Sequence, residues 1–191
     1  MARFSPSLFP LAAGFLAAVS LGMLAVMGLR IEPAFHALTG LSIPDLRLGG
    51  YEAADVKALI AALAQSPEAA AMLRGMHLGA DLAFPLAYGL LCLMLLARFA
   101  PGATVFHKPV AGIRLVAMLA MPVLYMAADY VENIASLMLF PPALPAPERL
   151  ALLTDLLPLA TRAKAMLFFI SLILVLRFTL FREAGKTNAG A

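Results

Sequence analysis

The sequence predicts an all-α integral membrane bundle of four transmembrane helices, with an outer helical loop between the first and the second. Three observations predict it. Of 191 residues, 63% are hydrophobic and 13% charged, where soluble proteins average about 45–50% apolar and about 25% charged; the mean hydropathy is +0.93. Four stretches approach the roughly 20 helical residues that cross a bilayer core about 30 Å thick. The basic residues gather in segments that alternate along the chain with acid-rich ones. This composition excludes disordered, collagenous, nucleic-acid-binding and ordinary cytosolic enzyme classes. With one cysteine, Cys92, the chain can build neither an intramolecular disulfide nor a thiolate cluster.

The first span, 8–29, carries no charge. Its apolar run exceeds the roughly 7–15 residues of a signal-peptide core, so a retained helix is expected. Gly14, Ala18 and Gly22 form a small-residue ridge at four-residue spacing, which admits another helix at close range.

Residues 30–77 form the outer loop, too short for a self-sufficient core. Pro44 and Gly49-Gly50 predict turns around 41–51. Val56, Leu59, Ile60 and Leu63 then recur at three- and four-residue spacing, the pattern of a short amphipathic helix along the membrane surface. Ser66-Pro67-Glu68 restarts a helix with an N-cap, a proline at the first position and an acid in the first turn.

The remaining spans, about 78–97, 113–140 and 160–180, cannot avoid ionisable residues. Only 16 uncharged residues separate Asp81 from Arg98, 14 separate Arg114 from Asp129, and 12 separate Lys164 from Arg177. The second span therefore takes in Asp81 and His77, the third Asp129 and Glu132, and the fourth Arg162 and Lys164 or Arg177.

Orientation follows from Arg3, Arg98, Lys108, Arg114, Arg177, Arg182 and Lys186, which face one acid, Glu183, in the amino terminus, the 98–114 loop and the tail. The positive-inside rule puts these segments in the cytoplasm. Both termini, including the tail 182–191, are then cytoplasmic in a multi-pass protein of the cell's inner (plasma) membrane. The other segments hold 7 of the 14 bases and 10 of the 11 acids and lie outside.

With that orientation, three helices bring their ionisable groups into the outer third of the bilayer. His77, Asp81 and Tyr88 share a helix face, and so do Asp129, Glu132 and Asn133. A charge in hydrocarbon costs at least about 2.5–3.5 kcal/mol on insertion scales, so these faces should turn toward each other. The candidate ligand-binding residues are Asp81, Tyr88, Asp129, Glu132, Asn133 and Arg162, lining an outward-facing polar pocket. The bland alternative is an ion-paired cluster that fixes helix register. Arg162 and Lys164, as helix-end bases, reach the interface easily, and His77 reads as a boundary residue rather than a ligand.

No metal and no cofactor is expected. Methionine is ordinary filler in apolar helices, and His36, His77 and His107 are not paired at ligand spacing. HExxH, GxSxG, Walker and dinucleotide-binding motifs are missing from the sequence. The stretches 81–87 and 155–160 are alike enough to hint at a duplicated hairpin, with chance the better explanation.

The segments Pro44-Asp-Leu-Arg-Leu-Gly-Gly-Tyr51, Asp81-Leu-Ala-Phe-Pro-Leu-Ala-Tyr88 and Asp129-Tyr-Val-Glu-Asn133 resemble a set of small four-helix bacterial integral membrane proteins of uncharacterised activity. The likeness runs from about Ile43 to Asn133 and implies a fold without implying a reaction. The topology is similar to that of claudin-like proteins, but the tryptophan and paired cysteines of their first outer loop are missing here.

Three functions remain open at this point. The first is a non-catalytic accessory or a lipid- or small-ligand-binding protein with its pocket on the outer side. The second is an enzyme acting on a lipid-borne substrate at the outer leaflet, with Asp129 or Glu132 as acid or base. The third is an oligomeric proton-coupled carrier, which the nearly charge-free inner halves of the spans disfavour. Expected partners are membrane lipids and either further copies of the chain or a larger membrane complex, and no nucleic acid.

Overall fold

The computed structural model describes residues 8–47, 49–141 and 144–180, and the expected cytoplasmic tail lies outside them. The described chain is mostly helical. Helix α1 (Leu8–Val26) passes through a π-helical turn (Met27–Ile31) into α2 (Glu32–Thr39). A 3-10 turn (Pro44–Leu46) leads to α3 (Ala53–Gln65), α4 (Pro67–Leu78) and α5 (Ala80–Phe99). A two-stranded antiparallel ribbon, β1 (Thr104–Val105) with β2 (Lys108–Pro109), precedes α6 (Ile113–Leu139) and α7 (Pro147–Leu180).

Four helical stretches are long and apolar enough to cross a membrane: Leu8–Thr39, Pro67–Phe99, Ile113–Leu139 and Pro147–Leu180. Their outward faces carry large apolar side chains such as Leu11, Phe15, Leu29, Ile113 and Ile173. Helix α6 lies between α5 and α7, which also touch each other, while α1 packs on α5 at the edge. The elements between α1 and α5 fold over the end of the bundle formed by the start of α5, the end of α6 and the first half of α7. We call this the capped end.

The cap is tied down by polar contacts that suit its sequence. Ser66 Oγ accepts the Ala69 N–H at 3.2 Å and Pro67 occupies the first turn of α4. Glu52 and Asp55 form a reciprocal capping box at the start of α3. A Glu32 carboxylate oxygen accepts the Ile43 N–H at 2.9 Å, closing the loop after α2. Phe35, Ile43, Val56, Leu63 and Leu73 are buried beneath these contacts.

Two glycines allow close approaches. Gly79 separates α4 from α5 with φ −114° and ψ −101°, and a Cβ there would stand 2.9 Å from the Gly75 carbonyl oxygen. Gly89 lets α6 come close enough that a Cβ would meet Met126 Cγ and Sδ at 2.5 Å.

Several boundaries differ from the sequence expectation. The fourth helix starts at Pro147 rather than near 160 and runs through Pro158; an amphipathic leader, with Leu153 and Leu157 buried, extends it beyond its apolar core. The second helical stretch begins at Pro67, as Ser66-Pro67-Glu68 predicts, and breaks at Gly79. The 98–114 loop folds as a ribbon whose turn residues Phe106 and His107 take positive φ. Asp155 is exposed where Asp81 is buried, so the two similar stretches sit in unlike environments.

Candidate functional site

Ionisable side chains from five separate segments meet at the capped end. Helix α4 supplies His77, α5 Asp81, α6 Asp129, Glu132 and Asn133, α7 Thr161 and Lys164, and the 3-10 turn Asp45. Side-chain exposure is 1–4% for His77, Asp45, Asp81, Asp129 and Glu132, and 10% for Lys164. The cluster is closed rather than open: Asp81, Asp129 and Glu132, the three acids expected to line a pocket, are packed against partners.

Lys164 organises one half of the cluster. Its ammonium donates to Asp45 Oδ1 at 3.0 Å, pairs closely with Glu132 and stands 3.9 Å from Asp129 Oδ2. Thr161 also donates to Glu132, and its hydroxyl meets the Tyr51 hydroxyl at 2.7 Å. Tyr125 donates to Asp129 Oδ2 at 3.0 Å, one helical turn away on α6.

His77 organises the other half. Its Nδ1 lies 2.7 Å from Asn133 Oδ1 and 2.9 Å from Asp81 Oδ2, both acceptors when Asp81 is ionised and the Asn133 amide nitrogen donates to the Asp81 carbonyl, as it does at 3.0 Å. Nδ1 therefore carries the hydrogen. The other ring nitrogen, Nε2, faces Asp45 Oδ2 at 3.9 Å.

Two groups of the cap beside the cluster, Asp45 and Tyr51, have perturbed acidities. Burial would raise the Asp45 carboxyl, but the Lys164 ammonium and His77, with the hydrogen bonds the carboxylate accepts, together hold the group below its usual value. Burial pushes the Tyr51 hydroxyl well up, with Glu132 and Asp45 adding to the effect.

The sequence-derived residues thus divide. Asp81, Asp129, Glu132 and Asn133 come together. Tyr88 lies apart, in an aromatic group with Phe84, Tyr125 and Phe168, and its hydroxyl donates to the Phe168 carbonyl at 3.0 Å. Arg162 points the other way, to exposed Glu52 at 2.5 Å and the Tyr51 carbonyl at 3.2 Å. Sequence reasoning passed over Asp45 and assigned His77 and Lys164 to the boundary. The i, i+4 spacing of His77 and Asp81 is the signal that His77 turns inward, and the Ser66-Pro67 helix start carries it there.

Beside the cluster, a groove of about 420 Å³ runs between the end of α3, the first half of α4 and Pro141. Leu63, Pro67, Ala70 and Ala71 form its apolar wall and Arg74 borders it. A crevice of about 10 Å³, lined in part by Arg74, His77 and Ser136, adjoins it. Comparison with family models, curated proteins and solved structures finds no match to this chain.

Proposed function

We propose that this chain is a multi-pass protein of the inner membrane, with both termini cytoplasmic, that binds a membrane lipid at its outer end without turning it over. Four helices of sufficient length and apolarity support the membrane assignment, and the placement of Lys and Arg supports the orientation. The capped end then lies outside.

The observation that carries the lipid reading is the groove. Its volume of about 420 Å³ falls within the range of about 300–1,000 Å³ typical of small-ligand sites. Its wall is apolar, as an acyl chain requires, and Arg74 beside it offers a guanidinium suited to an anionic headgroup. The buried cluster serves as the anchor that holds α4, one wall of the groove, against α6. Burial favours binding over turnover: Asp129 and Glu132, the acid–base candidates, are 2% and 0% exposed.

The test is the lipid that stays with the protein. Native mass spectrometry of protein extracted in mild detergent should show a retained anionic lipid, and Arg74→Glu should cut its occupancy at least several-fold with the fold intact. Equal retention by Arg74→Glu, or a lipid-free native protein, would refute the reading.

A further inference from the structure

We propose that His77 Nε2 and Asp45 Oδ2 bind a divalent transition-metal cation of the zinc class. These two atoms are buried, have no hydrogen-bond partner in the described structure, and face each other across 3.9 Å. Ligand atoms of Asp45, His77 and Asp81 all lie within 4.8 Å of one another. Tetrahedral zinc with bonds of about 2.0–2.2 Å separates neighbouring ligands by about 3.4 Å, so closing the gap by roughly half an ångström would seat an ion.

The ring is held for that task. Asp81 and Asn133 occupy Nδ1 from two different helices, which puts a hydrogen there and leaves Nε2 facing Asp45, where binding of the ion displaces any proton on that nitrogen. A carboxylate on the far nitrogen is the arrangement that orients and strengthens a histidine ligand. Asp81 is therefore a positioning residue.

Asp45 engages Lys164 through Oδ1, which leaves its Oδ2 for an ion. Imidazole with carboxylate is a donor set suited to zinc and its neighbours rather than to calcium or magnesium.

Chelator-treated full-length protein in detergent, titrated with Co²⁺ and then with competing Zn²⁺, tests the site through the visible absorption of bound cobalt. One saturable ion per chain is expected. His77→Gln and Asp45→Asn should each weaken binding at least tenfold, while replacing the exposed His36 and His107 with Asn leaves it unchanged. X-ray absorption of zinc bound to the unmutated chain supplies a readout that needs no variant, and it should show one imidazole with oxygen ligands. The proposal is overturned by no saturable signal up to about 1 mM metal, the result expected of an imidazolium bridging two acids. A shell without imidazole, or binding that vanishes with His36 and His107, overturns it equally.

Discussion

Replacing Lys164 with Met removes the ammonium that, among the described residues, contacts Asp45, Asp129 and Glu132 together. The side chain is 10% exposed and its three partners 1–4%, so water cannot take its place cheaply. Removing one partner of a buried pair typically costs about 3–5 kcal/mol, because the opposite charge is left uncompensated. Here three carboxylates lose it at once, which places the loss at the upper end of that range. For a chain of 150–250 residues, 1 kcal/mol shifts Tm by about 2–4 °C, so Lys164→Met should lower Tm by roughly 10–20 °C. The assay is thermal unfolding in one detergent at one scan rate, since unfolding of such proteins is often irreversible and Tm then depends on scan rate. Adding Glu132→Gln to Lys164→Met removes one of the stranded charges and should recover part of the loss. A Lys164→Met protein within about 1 kcal/mol of the parent, below the range for a buried pair, would refute the view that this lysine closes the cluster.

Three further outcomes follow from the packing and the cap. Gly89→Ala drives a Cβ into Met126 at 2.5 Å, so a loss of about 1–3 kcal/mol is expected in chemical or thermal unfolding, and Met126→Ala added to it should restore stability. Tyr51→Phe removes the 2.7 Å contact with Thr161 and should cost about 0.5–1.5 kcal/mol; faster proteolysis of the 41–52 segment would register it. The Asp55 carboxyl is held below its usual value chiefly by the Glu52 backbone N–H, with Arg47 assisting. Its lowered pKa makes the capping contribution full above the ordinary carboxylate range and lost as pH falls through the folded value, so protection of the amides at 53–56, relative to their intrinsic exchange rates, should drop on acidification, and Asp55→Asn should abolish that step.

The forced entry of Asp81, Asp129 and Glu132 into the helices was legible because no uncharged stretch after the first span is long enough to cross a bilayer. Helical periodicity also put Asn133 on the face of Asp129 and Glu132. The completing groups were hidden for physical reasons. Asp45 sits in a 3-10 turn without periodicity, and its partner Lys164 is 119 residues away in sequence. Lys164 and Arg162 read alike from composition, yet two residues on a helix point in different directions, so one is buried among acids and the other pairs with exposed Glu52. Tyr88 shares a face with His77 and Asp81 but lies about two turns further along α5, where Phe168 and Tyr125 meet it. The early start of α7 was obscured by Pro158, which the helix accommodates.

Sidedness decides most directly between this account and its opposite. In a Cys92→Ala background, single cysteines at Lys57 in α3 and at Lys108 in the ribbon are labelled with a membrane-impermeant maleimide on intact cells. Both parent residues are exposed, at opposite ends of the bundle. The account predicts labelling at 57 in intact cells and at 108 only after permeabilisation. Labelling at 108 but not at 57 in intact cells would invert the protein and remove the outer lipid site, and equal labelling at both would contradict the membrane-spanning bundle.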